Sequence, residues 1–147
     1  MEGTTMLALH PVSRTALVQL PTFDLSEIRE QVRSDARFLR WSDQRLDRAI
    51  LEYRRFLALC KHYPRHPIGL SEDADCVWHL HILNSRMYMA HCDEYFGDYF
   101  HHTPVATPEE QKIAQQGTDS LYLEAFGEPR LLDIQATCVG GGCMNNG

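Results

Sequence analysis

The sequence lacks several features that would place it in a common functional class. It has no run near the roughly 18 apolar residues needed to cross a bilayer. It has no Gly-rich phosphate loop and no Gly-x-Ser-x-Gly nucleophile motif, which argues against phosphate-binding and serine-hydrolase sites of those types. Basic residues are outnumbered, with 14 Lys and Arg against 20 Asp and Glu. Because phosphate binding needs clustered positive charge, we expect no nucleic-acid partner and no membrane partner.

Cysteine is scarce and widely spaced. An odd number of cysteines at wide intervals is unlike a disulfide framework. The first twenty residues also lack the basic start and continuous apolar core of a signal peptide. We therefore expect a cytoplasmic protein whose thiols are reduced, namely Cys60, Cys76, Cys92, Cys138 and Cys143.

Apolar residues recur at helical spacing, and no stretch alternates with period two. The predicted fold class is all-α, a compact bundle of about five helices forming one domain over residues 1–133. The first twenty residues form an extended arm in this prediction. Residues 134–147 have no charged side chain and contain three consecutive glycines, so we expect a flexible tail.

Capping residues predict where the helices begin. Asp24, Ser42 and Ser71 each precede an apolar helical stripe and have an acidic residue in the following turn. Thr107 is followed by Pro108 and by Glu110, the pattern typical of a first helical turn. The predicted helices cover residues 24–40, 42–63, 71–83, 87–96 and 107–126.

Five of the eight histidines lie between residues 79 and 102, close to Asp75. Imidazole and carboxylate are common ligands of zinc, iron and copper. In a helix, residues four apart share a face, so Asp75 and His79 converge, while His81 points away unless the helix unwinds near Asn84. The sequence predicts a metal site with the candidate ligands Asp75, His79, His81, His101 and His102. We expect a small metal-binding protein, and favour a redox enzyme or one that modifies a peptide or thiol.

Other interpretations of these residues stay open. Asp75 could orient His79 without binding the metal, or the two could form a metal-free acid–base pair. The histidines also fit an interaction module that binds a protein partner, in which case His79 should be buried and hydrogen-bonded. A third interpretation is a metal carrier, because the tail thiols Cys138 and Cys143 would suit a soft ion.

Three stretches between Asp24 and Pro104 carry a family pattern. The first runs from Asp24-Leu25 to Phe38-Leu39-Arg40, the second covers Ala49 to Leu59, and the third contains Trp78-His79-Leu80-His81. Together they resemble the helical domain of the glycine-rich domain-containing proteins, and His101-His102-Thr103-Pro104 is similar to the bacterial branch. The resemblance implies a shared fold and makes these the positions of interest: Asp75, Trp78, His79, His81, Tyr88, Cys92 and His102. The RNA-binding segment and long glycine-rich tail of plant members have no counterpart here, so no RNA role is transferred.

Overall fold

The computed structural model describes residues 18–104, 107–130 and 138–141 of the chain. Five α-helices account for most of these residues, which confirms the all-α fold class. They are α1 (Ser26–Ser34), α2 (Asp43–His62), α3 (Glu72–Leu83), α4 (Ser85–Phe96) and α5 (Pro108–Phe126). A short 3₁₀ helix (Ala36–Phe38) follows α1. The extended arm predicted for the first twenty residues lies outside the described part except for residues 18–20, which have no regular structure.

Side-chain caps set the start of three helices. The hydroxyl of Ser42 accepts a hydrogen bond from the backbone N–H of Arg45, and Ser71 does the same for the N–H of Ala74. Thr107 caps α5 by accepting from the N–H of Glu110. Each cap satisfies a backbone donor that has no partner within the helix. The three predicted starts are therefore confirmed.

The first helix is shorter than predicted. It ends at Ser34 and not near Arg40, because Asp35 leaves the helical region with ψ of 125°. The Asp35 carboxylate then accepts from the backbone N–H and the guanidinium of Arg37. These local bonds offer the backbone an alternative to a continuing α-helix and form the cap of the 3₁₀ helix.

Asn84 separates α3 from α4, as the sequence predicts. Its side-chain amide exchanges two hydrogen bonds of 2.9 Å with the amide of Gln31 on α1. It also donates to the carbonyl of Leu80, which accepts a second hydrogen bond from the backbone N–H of Asn84. This pairing ties α1 to the junction of the two helices that carry His79, His81 and His91.

A small sheet joins three short strands that the sequence did not predict. They are β1 (Pro67–Gly69), β2 (Thr103–Pro104) and β3 (Cys138–Gly141), and β3 lies in the middle, antiparallel to both neighbours. Part of the tail predicted to be flexible is thus a strand, because the backbone of β3 finds hydrogen-bond partners on both sides. The rest of that tail, residues 134–137 and 142–147, lies outside the described residues.

Aromatic side chains fill the centre of the molecule. The ring of Trp78 on α3 is fully buried and packs against Phe56 of α2 and against Phe100, which precedes β2. The β1 strand packs on α5, where the hydroxyl of Thr118 accepts from the N–H of Gly69. This core fixes α3 and the segment before β2 relative to each other. Within the described residues, no helix has the length and apolarity required of a membrane span.

Candidate metal centre

Two of the predicted ligands lie one turn apart on α3. Asp75 and His79 are separated by four residues, so their side chains leave the same face of the helix. The Asp75 carboxylate is almost covered, with 11% of the side chain exposed, whereas 54% of the His79 side chain is exposed. The helix therefore presents a fixed carboxylate at the protein surface with an accessible imidazole beside it.

His102 reaches the same point from another part of the chain. The segment that carries it is anchored at Phe100, which is buried and whose carbonyl accepts a 2.5 Å hydrogen bond from the hydroxyl of Tyr88. Immediately after His102 the chain enters β2, which pairs with β3. The imidazole packs on the face of Trp78 with 4.1 Å between ring centroids. These contacts on both sides of His102 hold its ring against α3.

The three ligand atoms form a small triangle. Nε2 of His102 lies 3.1 Å from Oδ1 of Asp75 and 2.9 Å from Nε2 of His79, and the remaining His79–Asp75 separation is 3.6 Å. A metal ion 2.0–2.1 Å from each ligand separates tetrahedral neighbours by about 3.3 Å and octahedral neighbours by about 2.9 Å. The observed separations scatter around these values. The three separations are therefore compatible with a shared metal ion.

The donor chemistry also favours a cation at this point. A neutral imidazole nitrogen is either a donor or an acceptor, and an ionised carboxylate only accepts. Nε2 of His102 faces both Nε2 of His79 and Oδ1 of Asp75, so one proton on it would serve both contacts at once. A metal ion satisfies all three lone pairs together. Within the described residues, Asp75, His79 and His102 are the group of side chains that could hold a metal ion.

The structure places the other two predicted ligands elsewhere. His101 is exposed, and its ring contacts Tyr99 at 4.8 Å between centroids. His81 is buried, on the opposite side of α3 from His79, because α3 does not unwind before Asn84 and residues two apart point about 200° from each other. The five predicted ligands are thus reduced to a convergent set of three.

His81 belongs to a second, interior cluster of polar rings. Its Nδ1 lies 2.7 Å from the hydroxyl oxygen of Tyr53, and its Nε2 lies 2.8 Å from Nδ1 of His91. Phe23 stacks on His91 with a 4.3 Å centroid separation and closes the cluster from the N-terminal side. We call Tyr53, His81 and His91 the Tyr–His–His chain.

Burial sets the charge states along the Tyr–His–His chain. Burial, with smaller contributions from His91 and Arg54, lowers the pKa of His81 to about 3. Burial also lowers the pKa of His91 and raises the pKa of Tyr53 well above its usual range. All three groups are therefore neutral near pH 7, which suits side chains whose hydrogen bonds are with each other.

No local pattern in the sequence indicates this interior cluster. Tyr53 lies in the apolar stripe of α2 and is 28 positions from His81, so no local spacing links them. For His91, the sequence shows only that it is one of five histidines between residues 79 and 102. A histidine within an apolar helical face was the single available signal, and it is equally typical of a histidine that only fills the core.

Trp78 lies between the two clusters. One face contacts His102, and its indole N–H donates a 3.0 Å hydrogen bond to the hydroxyl of Tyr88. Its ring centroid is 6.5 Å from that of Tyr53. The candidate metal centre and the Tyr–His–His chain are therefore connected through one buried indole.

Cys60, Cys76 and Cys92 are free thiols, and none of the three is a member of the triangle. Cys60 and Cys92 are buried, and Cys76 is half-buried next to Asp75. Burial and the neighbouring carboxylates raise the pKa of Cys76, so this thiol is protonated near pH 7. Cys138 lies in β3, and Cys143 lies outside the described residues, so the predicted tail pair is not tested.

Most of the chain matches a known protein family. The UCP032817-like family matches residues 14–133, a span that contains all five α-helices and the three candidate ligands. No curated protein matches the chain, and no solved structure does. The resemblance to the glycine-rich domain-containing proteins is not tested by this match and stays a prediction.

Proposed function

We propose a metal-dependent redox function for this chain, which belongs to the UCP032817-like family. The ligands are Asp75, His79 and His102. The observation that carries the proposal is the triangle of 2.9, 3.1 and 3.6 Å that their ligand atoms form. Two imidazoles and one carboxylate are the ligand set of non-haem iron(II) oxygenases and also occur at catalytic zinc.

Three protein ligands leave coordination positions open on the exposed side of His79. When bound, the metal supplies a Lewis acid or an electron acceptor at that face. The protein side chains have the other roles in the site. Asp75 supplies the negative charge, Trp78 excludes water from one face of His102, and the accessible side of His79 admits a substrate. Iron is the ion we propose, because the set matches the facial triad of two histidines and one carboxylate.

The exposure of His79 favours this proposal over a purely structural role. An interaction module in which the histidines only stabilise the bundle predicts a buried and hydrogen-bonded His79. More than half of that side chain is exposed, and its Nε2 points at two other ligand-type atoms. The three thiols among the described residues support a reducing, cytoplasmic location, and we retain a peptide or thiol as the proposed substrate class.

Metal titration of the protein without an affinity tag tests this proposal. Iron(II), zinc(II) and cobalt(II) are titrated separately under anaerobic conditions, and binding is followed by calorimetry and by the visible spectrum of cobalt. We expect one ion per chain. Loss of a residue that only supports a ligand typically weakens metal binding by about 10–100-fold. His79→Ala and His102→Ala should each weaken binding by more than this.

His101→Ala is the matched control, since His101 is the adjacent imidazole in sequence and lies outside the triangle. It should bind metal like the unmodified chain. Equal binding by the His79→Ala, His102→Ala and unmodified chains would contradict the proposed site. Tight binding of zinc with no oxidation of a bound iron(II) by dioxygen would replace the redox role by a Lewis-acid role.

A further inference from the structure

Buried aromatic rings connect the metal triangle to the Tyr–His–His chain. His102 packs on Trp78 at 4.1 Å, and the Trp78 and Tyr53 centroids are 6.5 Å apart. Trp78 and Tyr53 are both fully buried. An electron leaving Tyr53 would therefore cross a single buried indole ring to reach a metal ligand.

Oxidation of a tyrosine also requires a proton acceptor for its phenolic proton. Loss of one electron makes the phenol a strong acid, so a neutral radical forms readily only where a base accepts the proton. Nδ1 of His81 lies 2.7 Å from the Tyr53 hydroxyl oxygen. When this hydroxyl donates to Nδ1, the ring proton of His81 lies on Nε2 and is donated to Nδ1 of His91, 2.8 Å away.

The two imidazoles lead the proton outward. His81 is buried, whereas His91 is partly exposed on α4. Transfer of the phenolic proton to Nδ1 of His81, followed by transfer of the Nε2 proton to His91, moves positive charge from the core towards solvent. Each shift follows an existing hydrogen bond, so no side chain has to rotate.

Tyr88 provides an internal comparison, because it touches Trp78 more directly than Tyr53 does. Its hydroxyl accepts from the Trp78 indole N–H and donates to the backbone carbonyl of Phe100. A backbone carbonyl is an acceptor of hydrogen bonds but not a base that takes up a proton. The electron path exists for both tyrosines, and the proton path through imidazoles exists for Tyr53.

We propose that Tyr53 is a redox-active tyrosine that transfers one electron through Trp78 to the metal centre and its proton to the His81–His91 pair. This inference rests on the proposed metal site. With hydrogen peroxide as the oxidant, one electron comes from Tyr53 and one from the metal ion. Peroxide takes up these two electrons and two protons from solvent and leaves as two water molecules, while the phenolic proton of Tyr53 stays on the imidazoles. The products on the protein are a neutral Tyr53 radical, a metal ion oxidised by one unit and one proton shared by the two imidazoles.

Two oxidation experiments separate this inference from the proposed function. In the first, metal-free protein is oxidised by photogenerated ruthenium(III) tris-bipyridine, and the radical is recorded by electron paramagnetic resonance. In the second, iron-loaded protein is mixed with hydrogen peroxide and frozen. We expect a tyrosyl spectrum in both, absent from Tyr53→Phe. Tyr88→Phe is the control in the metal-free experiment, where the anchor of the His102 segment is not needed, and the signal should be retained there.

His81→Gln tests the proton path while keeping Tyr53 in place. The radical signal should fall to background in this variant, and the unmodified chain should form its radical more slowly in deuterium oxide. Circular dichroism confirms that each variant is folded. A signal lost in Tyr88→Phe but kept in Tyr53→Phe, or no tyrosyl signal in either experiment, would overturn the inference. Failure of metal binding alone leaves the first experiment unaffected and contradicts only the proposed function.

Discussion

Histidines two positions apart on α3 occupy opposite environments. His79 lies at the surface, where its nitrogen faces Asp75 and His102, and His81 is 1% exposed. Helical geometry predicts that the two point apart, and it predicts that Asp75 and His79 converge. Helical geometry does not predict which side of α3 faces the core, because apolar residues lie all around this helix. No local pattern distinguishes His101 from His102 either. Which of the two imidazoles reaches Asp75 depends on how Tyr88 anchors Phe100, a contact between residues 12 positions apart in the chain.

Acid should destabilise the metal-free protein through His81. Burial lowers its pKa to about 3 in the folded chain, while the unfolded chain keeps the ordinary value of 6.5. Between these values the unfolded state binds a proton that the folded state does not. The free energy of unfolding should therefore decrease as the pH falls below 6.5, by up to about 1.4 kcal/mol per pH unit for this group.

Urea denaturation of the protein in EDTA at several pH values measures this slope. His81→Phe removes the titrating group, so its stability should depend less steeply on pH. The substitution also leaves the Tyr53 hydroxyl without its acceptor and should cost about 1–3 kcal/mol near neutral pH. His101→Phe is the exposed control and should keep the original slope. An unchanged slope in His81→Phe would show that His81 does not carry the effect.

At the scale of elements, local signals predicted the helices well and the sheet not at all. Ser42, Ser71 and Thr107 cap their helices by bonds to residues three positions away, so the information lies within one turn. The strands are two to four residues long and pair across 30 or more positions. Such short segments have no recognisable period, and their pairing depends on the packing of the whole chain.

The central strand should support the metal site. Thr103, directly after His102, pairs with Val139 of β3, and β3 also pairs with β1. Proline has no backbone N–H, so Val139→Pro removes a ladder hydrogen bond from a strand with neighbours on both sides. We expect iron(II) binding to weaken by roughly the 10–100-fold typical of residues that position a ligand, with little loss of helical circular dichroism.

Asn145→Pro is the control for this experiment, since it introduces the same residue in the tail beyond β3. Its affinity for iron(II) should equal that of the unmodified chain. Wild-type affinity in Val139→Pro would mean that His102 is held without the sheet, by Phe100 and Trp78 alone.

For the whole molecule, the candidate ligands join two regions that are distant in sequence. Asp75 and His79 come from α3, and His102 follows α4. A ligand that binds only the folded state stabilises it by about 2.7 kcal/mol at one hundred times its dissociation constant. For a domain of this size that corresponds to a rise in Tm of roughly 5–10 °C.

Differential scanning fluorimetry with and without zinc(II) measures the shift. It should disappear with EDTA and in His102→Ala. Calcium is the informative control, because the chain has a net charge of −6 and any divalent ion could bind its acidic surface weakly. Calcium prefers six to eight oxygen ligands, so it should not reproduce the effect. Equal stabilisation by calcium and zinc would assign the effect to surface charge.

The position of β3 in the sequence also constrains the order in which parts of this protein can fold during synthesis. Translation releases β1 and β2 from the ribosome well before residues 138–141, yet both pair with the strand that emerges after them. Until then the backbone groups that pair with β3 have only water as partners, and the segment holding His102 lacks one of its supports. A nascent chain stalled before β3 should therefore have its helices, but the segment that carries His102 should not yet be held in place. Maturation of the centre therefore waits for β3 to emerge.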